Sequence, residues 1–149
     1  MKKAFVYYSY SGNGDLVANY YKEKGYEIEE IVTKEPLPDN KFLAILTGGF
    51  KALINYKDKI EKSFLPVSEY DEIVIGSPIW NGRLSSPVNA FLANHDIVPK
   101  AFVLYSGSGK SPSATKTIIK KYPSSMIINL TEPKKHEEEF KDILNKKGQ

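Results

Sequence analysis

Three stretches of the chain concentrate hydroxyls, amides and glycines: Ser9-Tyr10-Ser11-Gly12-Asn13-Gly14, Ser77-Pro78-Ile79-Trp80-Asn81-Gly82 and Ser106-Gly107-Ser108-Gly109. The first has the chemistry of a phosphate cradle. Ser9 and Ser11 can donate hydrogen bonds, and Gly12 and Gly14 let successive N–H groups turn inward. A helix opening near Asp15 would add the positive end of its dipole. The same residue types also build an ordinary strand-to-helix turn. The second stretch holds the only tryptophan, set beside Gly82 among small and polar residues. A wide π-face there suits a flat heteroaromatic ligand, and the alternative is an indole folded over the edge of the core.

The third stretch runs on into Lys110-Ser111 and imitates a nucleotide-binding P-loop. That motif needs glycine five residues before its second glycine, where Leu104 stands, and Pro112 removes the donor after Ser111. Other chemistry is sparse. With no cysteine in the chain, disulfides, thiolate metal sites, iron–sulfur clusters and cysteine nucleophiles are excluded. His95 and His136 have no carboxylate or serine partner readable from sequence, and no acid–base pair stands out.

These loops need elements to hold them. Ala4–Tyr8, Tyr26–Val32, Ile73-Val74-Ile75, Ala101–Tyr105 and Ser125–Leu130 read as five strands. Between them, Leu16, Val17, Tyr20 and Tyr21 recur at helical spacing over Asp15–Lys24, with Gly25 as the terminating glycine. Phe42, Ile45, Leu46, Phe50, Leu53 and Ile54 predict a second helix. Residues 57–65 read as a short helix or turn. Ser86-Pro87 and Ser111-Pro112 each combine an N-cap with proline at the first helical position. Phe140, Ile143 and Leu144 mark the inner face of a last helix after Pro133. Strands alternating with helices predict βαβ units around a parallel sheet, in which ligands bind beyond the carboxyl ends of the strands. All three polar loops follow such ends. No repeat or composition shift divides residues 1–149, so one domain is expected.

Ser9-Tyr10-Ser11-Gly12-Asn13 resembles the flavodoxin phosphate-loop pattern Ser/Thr-x-Ser/Thr-Gly-Asn-Thr in five of its six positions. Tyr70 to Trp80, continuing into Gly82, Pro87 and Phe91, is similar to that family's third strand and flavin loop. The resemblance spans nearly the whole chain and is to the short-chain members. It implies a flavodoxin-like three-layer α/β sandwich, with a five-stranded parallel sheet in order 2-1-3-4-5 and helices on both faces. It also implies noncovalent FMN. By position, Ser9, Tyr10, Ser11, Gly12, Asn13 and Gly14 would form the phosphate loop. Ser77 and Pro78, followed by Ile79, would border the phosphate and ribityl chain, and Trp80 would cover the isoalloxazine. The Asn81-Gly82 peptide would lie near flavin N5, and Ser106, Gly107, Ser108 and Gly109 would face the pyrimidine edge. The chain departs from the pattern at Gly14, which replaces threonine and removes a hydroxyl donor, and Asp15 follows directly.

Function is bounded by charge as well. Twenty-one Lys and Arg against 18 Asp and Glu give a net charge of +3, with Arg83 as the only arginine. That is no nucleic-acid signature, yet it differs from the acidic surface of the usual flavodoxin electron carrier. No apolar run reaches the length of a membrane span. Met1-Lys2-Lys3 leads into a strand without the apolar core of a signal peptide, so a cytoplasmic protein is expected. The expected role is electron transfer through FMN to a redox partner protein or a small electron acceptor. The alternatives are an FMN-dependent NAD(P)H:quinone-type reductase and a flavodoxin-like binding module without flavin.

Overall fold

The apolar runs become strands wherever both of their faces can be covered. In the computed structural model, which describes residues 1–34, 38–53 and 59–147, these are β1 (Lys3–Tyr7), β2 (Glu27–Glu30), β3 (Glu72–Trp80), β4 (Arg83–Leu84), β5 (Ala101–Ser106) and β6 (Met126–Thr131). The helices are α1 (Asn13–Glu23), α2 (Lys41–Leu53), α3 (Ser86–Asn94), α4 (Pro112–Lys121) and α5 (Glu137–Lys147). Five strands pair in parallel in the spatial order β2-β1-β3-β5-β6. Counted among themselves, these five keep the expected order 2-1-3-4-5. The sheet departs from expectation in its sixth strand, the two-residue β4, which pairs antiparallel with the end of β3.

Alternation along the central strands sends side chains to two separate cores. Val6, Ile75, Phe102 and Leu104 pack with Val88 and Phe91 of α3 and Ala114 and Ile118 of α4. On the other face, Phe5, Tyr7, Val74, Val103 and Tyr105 pack with Val17, Ala18 and Tyr21 of α1 and Phe140 and Leu144 of α5. Helices on both faces explain why β1, β3 and β5 read as continuous apolar runs. Edge strand β2 alternates instead. Its one buried carboxylate, Glu29, accepts hydrogen bonds from Ser63 Oγ (2.5 Å) and Leu65 N (2.7 Å), which hold the 63–65 segment to the edge.

Several boundaries differ from the sequence reading. The expected helix or turn over 57–65 resolves, from Lys59 onward, into an isolated antiparallel bridge between Thr33 and Ile60; its first two residues and Ile54 lie outside the described residues. The N-cap of α3 is Ser85, one residue before the expected Ser86. In α2, Asn40 Oδ1 caps the N–H groups of Phe42 (3.0 Å) and Leu43 (3.2 Å). The stripe formed by Phe42, Leu46 and Phe50 faces outward, because the helix packs inward through the small residues Ala44 and Gly48. No helix among the described residues is long and apolar enough to cross a membrane.

The N-terminal rim of the sheet carries a titratable tie. Glu72 accepts hydrogen bonds from Lys100 Nζ (2.8 Å) and from Tyr26 Oη. Burial pushes its carboxyl up, but the bonds from Lys100 and Tyr26 and the charges of Lys100 and Lys3 outweigh burial and hold it below the ordinary value. A depressed carboxyl stabilises the fold above its unfolded pKa of about 4.3, and this stabilisation is lost as pH falls through the lower folded value. Glu72→Gln is therefore expected to lower Tm at neutral pH, with the difference from the parent closing in acid. A gap in Tm that stays constant down to pH ~3 would count against this linkage.

Candidate functional site

Parallel pairing brings the carboxyl ends of β1, β3 and β5 side by side. Tyr8 N donates to Gly76 O (3.1 Å), and Pro78 is in register with Tyr105. The three polar loops therefore meet on one rim of the sheet.

In the first loop, Gly12 adopts the left-handed conformation (φ 92°) and caps α1. Ser9 Oγ lies inside the turn and accepts the N–H groups of Gly12 (3.1 Å) and Gly14 (3.0 Å). The N–H groups of Ser11, Asn13 and Asp15 have no acceptor among the described residues. Asn13 Nδ2 donates to Ser11 Oγ (3.2 Å), while Tyr10 is exposed and its Oη donates to Pro38 O (3.1 Å). A short turn with unpaired donors at a helix N-terminus is a site for an anion.

The floor of this loop accounts for its departure from the family pattern. Tyr105 is buried, and its Oη donates to Tyr8 O. A Cβ on Gly14 would stand 2.6 Å from Tyr105 Oη, 2.7 Å from Ser9 Cβ and 2.8 Å from Tyr7 Cδ2. The room that a threonine needs is filled by a phenol from β5. Asp15 is tied to β1, accepting a hydrogen bond from Tyr7 Oη (2.7 Å). Burial, then the bond to Asp15, push the Tyr7 phenol far above its ordinary range. Burial likewise raises Tyr105, and burial followed by the charge of Asp15 raises Glu30. Tyr7 and Tyr105 are thus neutral donors at physiological pH.

The second loop is a hairpin. Asn81 (φ 52°) and Gly82 (φ 75°) are both left-handed, as a two-residue turn between twisted strands requires, and Trp80 pairs with Arg83 across it. The Asn-Gly dipeptide is the sequence signal for such a turn. Gly82 O accepts the N–H of Ala114 (2.9 Å), which ties the turn to the start of α4. Trp80 is half-buried. It meets Tyr8 edge-on (5.7 Å, 87°) and lies so close to α2 that a Cβ on Gly48 would be 3.1 Å from two atoms of its six-membered ring. The indole thus seals the edge of the core and keeps part of its surface exposed at the rim. Ile79 and Pro78 are also half-buried. Ser77 is fully buried; its hydroxyl donates to Pro78 O (2.8 Å) and accepts Ser85 N (3.1 Å), joining β3 to the root of α3. Its side chain is engaged inside the fold and its backbone lies in register with Leu104 of β5.

In the third loop, Ser106 Oγ accepts Gly109 N (2.9 Å) and Ser108 Oγ accepts Lys110 N (3.2 Å). Gly107 and Ser108 form its exposed apex.

Sequence reasoning missed Lys134, which follows β6. Its N–H donates to Asn13 Oδ1 (2.9 Å) and its Nζ donates to Ser11 O (3.0 Å). No local pattern marks a residue 121 positions from its partner. Only its place after the end of a strand, just beyond Pro133, is visible in the sequence. Among the described residues no group of three or more His, Asp or Glu side chains is placed to hold a metal ion.

A parallel sheet in this order, flanked by helices and with polar loops at its carboxyl rim, is a flavodoxin-like fold. Comparison with solved structures agrees. A flavoprotein from Lactobacillus acidophilus NCFM, crystallised in complex with FMN, superposes with a TM-score of 0.68 at 20% identity, covering 92% of this chain and 97% of that one. A candidate flavoprotein from Bacteroides eggerthii DSM 20697 gives 0.65 at 20% identity, covering 95% and 97%. At that identity the likeness is one of fold. No protein-family model matches the chain, and no curated protein matches it.

Proposed function

We propose that the chain binds FMN noncovalently at this rim and acts in electron transfer to a redox partner protein or a small electron acceptor. The observation that carries the reading is the Ser9–Gly14 turn at the start of α1, where the N–H groups of Ser11, Asn13 and the following Asp15 have no acceptor among the described residues. The phosphate would take those donors together with the hydroxyls of Ser9 and Ser11. Trp80 would shield one side of the ring, with Pro78, Ile79, Asn81 and Gly82 beside it and Ser106–Gly109 at its polar edge. The likeness in fold to an FMN-bound flavoprotein supports the same assignment.

When bound, FMN supplies one- and two-electron redox chemistry. The chain's own residues bind, orient and exclude water. Tyr105 and Ser9 stiffen the cradle from below, and the link from Gly82 O to Ala114 N fixes the hairpin. The phenols of Tyr7 and Tyr105 donate to Asp15 Oδ1 and Tyr8 O and so fix the floor of the cradle.

Titration of the purified protein with FMN, riboflavin and FAD, followed by flavin fluorescence, tests the reading. FMN is expected to bind more tightly than riboflavin by at least about tenfold, since several charge-assisted hydrogen bonds depend on the phosphate. Equal affinity for FMN and riboflavin would show that the cradle is not used. An assay of NAD(P)H oxidation separates a carrier from a reductase, because a carrier of this kind does not turn over NAD(P)H alone.

A further inference from the structure

The Ser9–Gly14 turn is clasped by a residue from the far end of the chain. Lys134 reaches it twice: the backbone N–H holds the Asn13 carboxamide, and Nζ bonds Ser11 O. Its stem crosses Gly12 closely enough that a Cβ there would stand 3.5 Å from Lys134 Cδ and 3.7 Å from Nζ. The ammonium has no carboxylate within ion-pair distance among the described residues, whereas its neighbour Lys135 pairs with Glu132. Asp15, which follows the turn, accepts a hydrogen bond from Tyr7 Oη. One unneutralised cation therefore rests against a loop whose donors await an anion.

We infer that Lys134 is the charge-bearing positioning residue of the cradle: it clasps the turn and offsets the charge of the FMN phosphate. This rests on the FMN reading and goes beyond it by assigning a residue outside the loop. The phosphate carries a charge between −1 and −2 at neutral pH, and Asp15 adds another negative charge beside it. A turn built only of neutral donors would bear that load alone. Lys134 Nζ already lies at the loop backbone, so little side-chain ordering remains when the anion arrives.

The test compares FMN and riboflavin binding by the parent, Lys134→Gln and Lys134→Arg, each at low and at high salt. Lys134→Gln should weaken FMN by about tenfold at low ionic strength and by clearly less at high salt, because an exposed charge is screened. Riboflavin affinity should be unchanged, and Lys134→Arg should bind FMN like the parent. Equal weakening of FMN and riboflavin, with the salt dependence of the parent, would overturn the proposal and leave Lys134 a structural clasp. FMN affinity untouched by Lys134→Gln would overturn it while the FMN site stands. A parent protein that binds no FMN would overturn both readings. Thermal melts of the variants check that the fold is kept.

Discussion

Gly14→Ala should destabilise the protein by about 2–3 kcal/mol and cost it most of its flavin affinity, although alanine is the better helix former. The new methyl would meet Tyr105 Oη, Ser9 Cβ and Tyr7 Cδ2, each closer than 3 Å. Two of these atoms belong to strands in the centre of the sheet and cannot retreat, so the start of α1 must lift. Gly14→Thr, which restores the residue of the flavodoxin pattern, should be worse. Tyr105→Phe alone removes the donor to Tyr8 O and should cost about 1–2 kcal/mol. In the double variant Gly14→Ala/Tyr105→Phe, loss of the hydroxyl opens one of the three contacts. The two costs should then sum to more than the measured loss, by about 1 kcal/mol. Denaturant melts of the four proteins close the cycle. Simple additivity would mean that the Tyr105 hydroxyl is not what excludes a side chain at position 14.

Trp80→Ala carries the other large effect. On the proposed FMN reading it removes the surface assigned to the isoalloxazine, and FMN binding should weaken by about 1–3 kcal/mol. It also leaves a gap between Gly48 of α2, Tyr8 and the hairpin, which should cost about 2–3 kcal/mol of stability for a half-buried indole. Trp80→Phe should recover much of both. Because Trp80 is the only tryptophan, quenching of protein emission by bound flavin in the parent reports directly on this loop. If Trp80→Ala binds FMN as tightly as the parent, the ring of the ligand does not lie against this hairpin.

Part of the site is legible in the residues themselves. Ser9–Gly14 announces a tight turn by its glycines and hydroxyls, and Ile73-Val74-Ile75 announces a strand covered on both faces by its unbroken apolar run. Asn81-Gly82 favours a hairpin, since two left-handed residues in a row suit that dipeptide. Its flanks, Trp80 and Arg83-Leu84, are too short to show strand alternation, so β4 is not readable from pattern. The direction of the Ser77 hydroxyl is likewise not readable from pattern. A serine at the end of an apolar run has the same type whether its hydroxyl faces a ligand or, as here, the buried backbone of Ser85.

Local features thus follow from the sequence by itself: the strand and helix periods, the prolines at the first turns of α3 and α4, and the order in which polar loops follow strand ends. Each depends on neighbours a few residues apart, and backbone sterics and side-chain spacing act at that range. What the tertiary structure alone decided is which distant groups share one space. Tyr105 fills the place of a side chain at position 14, Gly48 packs on one side of Trp80, and Lys134 closes over Ser11 and Asn13. These contacts join residues 32 to 123 positions apart. They exist because the sheet order sets β3 between β1 and β5, and because α1 and α5 cover the same face. Close packing at those junctions then determines whether a glycine is a turn residue or a space already taken.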